Sequence, residues 1–323
     1  MPSLSMLKEI WTRHLACPRC SGSLRHEDTG RGPHLECTLC TTRYPVLDNI
    51  PSFVEVTGSD QTAEIVQRDK EAASYEGNFL AWETYLEVMP LLRDLAPKPT
   101  DVILDVGAGT GRFVREYIRD VGLVVAVDHS LESLRYMRRS IDLVAPAARK
   151  LVPIHADACA LPFRSGTFDA VVSVGMLQHL PSDDHRLRAI SGMARAIRAE
   201  GRCVLQARHW SRVHAFHDQR RGSAIVKRLA ELLIGNADGG IELSRVTHHA
   251  QGTVAIHNIS SEELRSLAER AGLDVERVVG RLICAKGMQR LGVIRPVLER
   301  AIERTPLSLL AAQEVVAVGR RSA

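Results

Sequence analysis

Residues 105–113 read "DVGAGTGRF", a glycine-rich turn directly behind an apolar run. Such a turn holds a nucleotide when a strand feeds it and a helix leaves it. The flanking residues predict that setting. "DVILDVG" (101–107) reads as a buried strand and "TGRFVREYIRD" (110–120) as a helix. "GLVVAVD" (122–128), "LVPIHAD" (151–157), "FDAVVSVG" (168–175) and "GRCVLQAR" (201–208) read as further strands, and 130–144 and 183–199 as helices. Strands alternating with helices predict a doubly wound, mostly parallel, Rossmann-like α/β sheet, whose ligands bind at the carboxyl ends of the strands.

The glycines stand at 107, 109 and 111. A dinucleotide fingerprint needs glycine at 112, where this chain has Arg112, and a phosphate-binding P-loop needs Gly-Lys-Ser/Thr, which is missing. The loop instead begins with an acid, Asp105, at the strand end. An acid there repels a pyrophosphate and suits a cationic ligand. S-adenosylmethionine (SAM) has a sulfonium, an amino group and no phosphate, and glycines let backbone approach it closely.

"LDVGAGTGRF", "VVAVDHS", "HADACALPFRSGTFDAVVSVGMLQHL" and "GRCVLQARHW" resemble, in order and spacing, the successive motifs of class I SAM-dependent methyltransferases. "HNISSEELRSLAERAGLDVERVVG" resembles that family's final helix and strand, with Ser260 and Glu263 fitting a capping box, and "EVVAVGRR" its last, antiparallel strand. The resemblance implies a seven-stranded sheet and residue roles. Asp105 holds the methionine amino group through water. Gly107, Gly109 and Gly111 shape the loop beneath the donor. Asp128 bonds the ribose hydroxyls, His129 flanks the adenine, and Asp157 with Ala158 reads the adenine edge. Gln178 belongs to the donor site, and His179 is the candidate base. Taken singly, Asp128 and Asp157 are equally loop acids capping the next helix, and His179 a structural histidine.

Ahead of this lie "CPRC" and "CTLC", which place Cys17, Cys20, Cys37 and Cys40 in the C-x2-C…C-x2-C spacing of a zinc site. Four protein thiolates leave no open position, so the expected role is structural. Residues 10–56 resemble the zinc ribbon of the small activator protein of tRNA and release-factor methyltransferases; the ribbon's balanced charge points to packing or contact with a protein partner. His26 and His34 are expected at the surface rather than on the metal. The expected organisation is a ribbon over 1–56, a linker and leading helix over 57–99, and a methyltransferase domain over 100–323 with a lid-like insertion at 209–259.

A net charge of +4 permits an anionic partner without demanding one. No apolar run reaches membrane-spanning length, and the opening residues carry charges where a signal peptide needs an apolar stretch; the expected location is cytoplasmic. The segment after the fourth strand, "SVGMLQHLPS", lacks both the Asn/Asp-Pro-Pro-Tyr pattern of amino-group methyltransferases and a Pro-Cys nucleophile. Two acceptor classes remain. The "LPF…FDAVVS" pattern resembles methyltransferases of small molecules, including specialised metabolites, and this is the preferred expectation. RNA is the alternative: a ribosomal guanine methyltransferase family also fuses a four-cysteine ribbon to this fold, "HLPSDDHRLRAI" resembles tRNA wobble-uridine methyltransferases, and the insertion is basic in its first part. Against RNA stand a charge-balanced ribbon and only 4% aromatic residues for base stacking. A SAM-binding partner protein without catalysis is the third alternative.

Overall fold

The computed structural model describes residues 2–30, 32–54, 81–142, 147–209, 246–248, 255–281, 294–303, 305, 308–312 and 314–321. The expected linker at 57–77 and most of the 209–259 insertion, with its basic run, lie outside them.

The chain begins with helix α1 (Leu4–His14), followed by the meander β1 (Leu24–Thr29), β2 (Gly32–Cys37), β3 (Arg43–Leu47) and β4 (Ile50–Pro51). Helix α2 (Ala81–Leu95) leads into β5 (Val102–Val106), α3 (Val114–Tyr117), β6 (Leu123–Asp128), α4 (Leu131–Asp142), β7 (Leu151–His155) and β8 (Phe168–Val174). Then come α5 (Asp183–Ala196), β9 (Ile197–Arg208), the short pair β10 (Val246–His248) and β11 (Ala255–His257), α6 (Ser261–Arg270), β12 (Leu273–Arg281), α7 (Ile294–Glu303), α8 (Ser308–Ala311) and β13 (Glu314–Arg321).

The large sheet has seven strands in the order β12-β13-β9-β8-β5-β6-β7. Neighbours from β9 to β7 are parallel, and β13 runs antiparallel to both β9 and β12. The expected doubly wound sheet is therefore present, with "EVVAVGRR" as its antiparallel strand. Alternate residues feed two cores, one per face. Leu104, Val106, Val125 and Val127 join a cluster with Ile190 and Leu264, whereas Ile103, Val124 and Ala126 join Leu91, Leu134 and Met137. The predicted capping box forms at α6: Ser260 accepts from the Glu263 backbone N–H, and Glu263 from that of Ser260.

Two helices are shorter than their patterns predict. The segment after the glycine loop is α-helical only over 114–117 and continues as a 3-10 turn to Asp120. The helix expected to reach residue 199 ends at Ala196, where Ile197 starts the next strand. The inward face of α2 also differs from the one that the helical spacing of Leu80, Tyr85, Leu86, Met89, Leu92 and Leu95 predicts. Met89 is exposed, while Val88, Leu91 and Leu95 are buried beside two acids, Glu87 and Asp94. Those acids are tolerated because arginines meet them. Glu87 pairs with Arg112, and Asp94 pairs with Arg277 and Arg281 and receives Arg93 Nε at 3.2 Å.

The ribbon is built into the domain. Trp11, Leu15, Tyr44 and Phe53 share one core with Ile154, Phe163 and Phe168. Backbone bonds cross the junction: Ala16 N donates to Pro162 O (2.9 Å), Arg164 N to His14 O (3.0 Å) and Phe53 N to His155 O (2.7 Å). The last pairing lays Ser52 alongside the free edge strand β7 in parallel, which covers that edge. The tight turn between β3 and β4 is made by Asp48 and Asn49, both in the left-handed region (φ 52° and 62°). Its tip grips α4, where Arg135 Nη2 donates to Asp48 Oδ2 at 2.6 Å and Arg138 to the Asp48 carbonyl.

Candidate functional site

The glycine loop is strapped to the end of β6. Gly107 N and Ala108 N both donate to Val127 O (2.8 and 3.0 Å), and Gly109 N donates to Asp128 Oδ2 (2.7 Å). All three glycines have positive φ (79°, 54° and 83°), a region that side chains other than glycine's enter at a cost. Their missing Cβ atoms do different things. A Cβ on Gly107 would lie 2.5 Å from Met176 Cβ, and one on Gly111 2.4 Å from Met137 Cγ. A Cβ on Gly109 would meet no described atom within 4 Å. Two glycines thus make room for protein, and the third borders open space.

The expected donor residues gather in the loops that follow four adjacent parallel strands, β5, β6, β7 and β8. Asp128, at the end of β6, is 8% exposed and accepts from two backbone N–H groups: Gly109 on Oδ2 and Ser130 on Oδ1 (2.8 Å). A carboxylate has about four lone-pair sites, so two remain for a ligand. Asp105 is buried, and its Oδ2 accepts from Tyr117 Oη at 2.5 Å. Burial pushes its carboxyl up to about 7; the tyrosine bond opposes this and the Asp128 charge adds to it. Asp157 Oδ1 accepts from Cys159 N (2.8 Å), so this acid caps the short turn at Ala158–Ala160.

Two polar side-chain atoms of these loops are buried without a hydrogen-bond partner among the described residues: Thr110 Oγ1 and His129 Nε2. Buried polar groups are ordinarily satisfied, and these two belong to the residues that follow Gly109 and Asp128 in the chain. The His129 carbonyl bonds His155 Nε2 (3.0 Å), whose Nδ1 bonds Ser52 Oγ of the ribbon (2.8 Å). The loop after β8 holds the remaining candidates. Gln178 Oε1 accepts from Arg208 N (3.2 Å), and His179 lies in the turn at Leu177–His179. Arg186 pins that turn from α5, donating to Leu177 O (3.2 Å) and Leu180 O (2.9 Å).

In the ribbon, one thiol sulfur from each of Cys17, Cys20, Cys37 and Cys40 lies within 4.8 Å of all the others. Cys17 and Cys40 are 3.7 Å apart and Cys20 and Cys37 3.5 Å. Four thiolates around zinc at about 2.3 Å have sulfurs separated by distances of this order. The two C-x2-C turns are built alike. Each is followed by a residue at φ 58°, Ser21 and Thr41, whose N–H returns to the carbonyl of the first cysteine, Cys17 or Cys37. His26 and His34 are outside the cluster. His34 is nonetheless buried (7% exposed), not at the surface, with Nδ1 on Gly32 O while Nε2 has no hydrogen-bond partner among the described residues.

Residues 103–201 match the family model described as a methyltransferase domain. By this match, residues 103–201 are a methyltransferase domain. A relative in Arabidopsis thaliana, the uncharacterized chloroplastic methyltransferase At1g78140, is 28% identical over 209 residues, covering 56% of this chain and 58% of that protein. The tRNA (carboxymethyluridine(34)-5-O)-methyltransferase ALKBH8 of Macaca fascicularis is 23% identical over 197 residues, 57% of this chain and 26% of that protein. This chain therefore spans less than two thirds of the length of either relative. Among solved structures, geranyl diphosphate C-methyltransferase from Streptomyces coelicolor A3(2) is 16% identical, covers 73% of this chain and 76% of that one, and superposes with a TM-score of 0.48.

Within this methyltransferase domain, pattern reading missed Tyr117, Thr110, Ser130 and Arg186. Tyr117 and Arg186 both lie in segments read only as helices. The Arg112 that breaks the dinucleotide fingerprint pairs with Glu87 and lies 4.9 Å from the Phe113 ring centroid. No helix among the described residues is long and apolar enough to cross a membrane.

Proposed function

We propose that this protein transfers the methyl group of SAM to a small-molecule acceptor and carries a structural zinc ion in its ribbon. The observation that carries the donor site is the open side of Gly109, whose N–H is held by the Asp128 carboxylate. When bound, SAM supplies an electrophilic methyl on a sulfonium, and displacement leaves the bonding electron pair on sulfur. The chain's part is to bind, align and exclude water. In this reading Asp105 holds the amino group, Gly107, Gly109 and Gly111 form the floor, and Asp128 takes the ribose hydroxyls on its remaining lone pairs. His129, Asp157 and Ala158 surround the adenine, and Gln178 closes the site from β8. His179 takes a proton only from an acceptor that arrives protonated.

Cys17, Cys20, Cys37 and Cys40 would hold zinc as four thiolates, a closed set that supports folding rather than chemistry. Reduced thiols fit a cytoplasmic location. The organisation we propose keeps the ribbon at 1–56, the linker and leading helix at 57–99 and the catalytic domain from 100, with the insertion at 209–259 as a lid. Exposed Leu4, Met6 and Leu39 on the ribbon would suit a protein partner.

A small acceptor is favoured because ribbon charges pair with each other, Arg43 with Glu36 (2.7 Å) and Arg25 with Glu27 (3.5 Å). Such pairing leaves little excess positive charge for phosphates. The alignment with a tRNA methyltransferase favours RNA as the second reading. Turnover of SAM to S-adenosylhomocysteine in cell extract, with and without ribonuclease, tests both. We expect turnover that survives ribonuclease. Turnover abolished by it supports RNA, and none in either arm refutes catalysis.

A further inference from the structure

Asp105 sits on the inner strand β5, between Ala126 of β6 and Val172 of β8, and is 4% exposed. A carboxylate in such a place is costly unless a donor meets it. Among the described residues one does: Tyr117 Oη donates to Oδ2 at 2.5 Å, the short distance of a charge-assisted bond. Tyr117 is fully buried at the end of α3. Burial, with the Asp105 charge beside it, holds its hydroxyl well above the usual phenol range, so it stays protonated and donates. Tyr117 and Asp128 are the described ionisable groups acting on Asp105, and they oppose one another: the hydroxyl favours the carboxylate and the second negative charge disfavours it.

We propose that Tyr117 is a positioning residue for the methyl donor, orienting the Asp105 carboxylate and keeping it charged for the donor's amino group. This rests on the reading of Asp105 given above. The substitution Tyr117→Phe removes one oxygen and leaves the ring. The probes are S-adenosylhomocysteine, which carries the amino acid moiety, and 5′-methylthioadenosine, which shares the adenosine and sulfur but lacks it.

Calorimetry at neutral pH should show Tyr117→Phe weakening S-adenosylhomocysteine by roughly tenfold or more, with 5′-methylthioadenosine unchanged. Without the hydroxyl the carboxyl holds its proton to higher pH, so the deficit should shrink toward pH ~8.5. Equal loss of both ligands, or of neither, overturns the proposal. Asp105→Asn separates the two claims. If it leaves S-adenosylhomocysteine affinity unchanged, the reading of Asp105 itself fails; if it weakens binding while Tyr117→Phe does not, only the role of Tyr117 fails. Should Tyr117→Phe not fold, the wild-type protein still decides. Its preference for S-adenosylhomocysteine over 5′-methylthioadenosine must be present at neutral pH and fall as the pH is lowered, because burial pushes the Asp105 carboxyl up to about 7 and protonation removes the charge that the hydroxyl favours. A preference absent at neutral pH, where the hydroxyl should hold the carboxyl charged, overturns the proposal.

Discussion

Placing one methyl group at each of two glycines separates the donor seat from the packing around it. Gly109→Ala puts a Cβ where no described atom lies within 4 Å. Its cost to the fold is that of an alanine at φ 54°, about 1–2 kcal/mol, offset by about 0.4–1 kcal/mol from a stiffer unfolded chain. The net is about 1 kcal/mol, or about 2 °C in Tm for a chain of this size. Gly111→Ala carries similar strain at φ 83° and also sets its Cβ 2.4 Å from Met137 Cγ. Met137 is fully buried in the core around α4, and overpacking such a site adds about 1–3 kcal/mol. Gly111→Ala should therefore cost about 2–4 kcal/mol and lower Tm by several degrees. Donor affinity should rank the other way: Gly109→Ala obstructs the seat and should lose more than tenfold, about 1.4 kcal/mol, while folded Gly111→Ala should lose less. Differential scanning fluorimetry and calorimetry with S-adenosylhomocysteine give the two scales. Wild-type affinity in Gly109→Ala would mean that the open side of the loop faces something other than the donor.

Three further outcomes are expected. Asp128→Asn presents an amide N–H2 to one of two backbone donors, Gly109 or Ser130, and should cost about 1–3 kcal/mol of stability together with a large loss of donor affinity in calorimetry; unchanged affinity would sever Asp128 from the ribose. Asp94→Ala leaves Arg281 buried against Glu303 alone (3.2 Å) and should destabilise by about 3–5 kcal/mol in urea unfolding, whereas a loss below about 1 kcal/mol would show that the network relaxes. Burial, aided by Arg13, lowers the pKa of His14, which is half-buried and stacks on Phe168 (6.2 Å). Its neutral form is favoured in the fold, so stability is present above the unfolded value near 6.5 and declines as pH falls below it. The Tm of His14→Phe should be flatter than wild type between pH ~6.5 and ~5; parallel curves would exclude His14 as a source of the slope.

The sheet was legible because its strands are buried on both faces. "LVVAVD" has no polar residue until Asp128, and such a run between helical patterns has few other uses. The antiparallel last strand was legible by resemblance, and the α6 cap by its Ser260–Glu263 spacing. The face of α2 was not legible, because pattern reading ranks positions by apolarity and two of the buried ones are Glu87 and Asp94. Their arginine partners lie 25 residues away for Arg112 and 183 and 187 away for Arg277 and Arg281. A local window cannot see a charge neutralised from that distance.

The same limit separates the two kinds of donor-site residue. Asp105, Asp128 and the glycines can be proposed from sequence because each stands at a fixed place relative to a strand end, and chain spacing records that place. What spacing does not record is what those residues do to the protein itself. Asp128 spends an oxygen on Gly109 N and another on Ser130 N, so the acid assigned to the ribose also fastens the glycine loop to β6. Asp157 likewise caps its own turn. Capping and ligand binding, posed as alternatives by the sequence, are compatible in the fold. A carboxylate held by backbone N–H groups is oriented before any ligand arrives, and a site arranged in advance avoids ordering cost on binding. For the same reason a substitution at Asp128 tests two functions at once, and only paired stability and affinity measurements divide them. The ribbon enters by this route as well: its Ser52 reaches His155, and His155 holds the carbonyl of His129, the residue that follows Asp128.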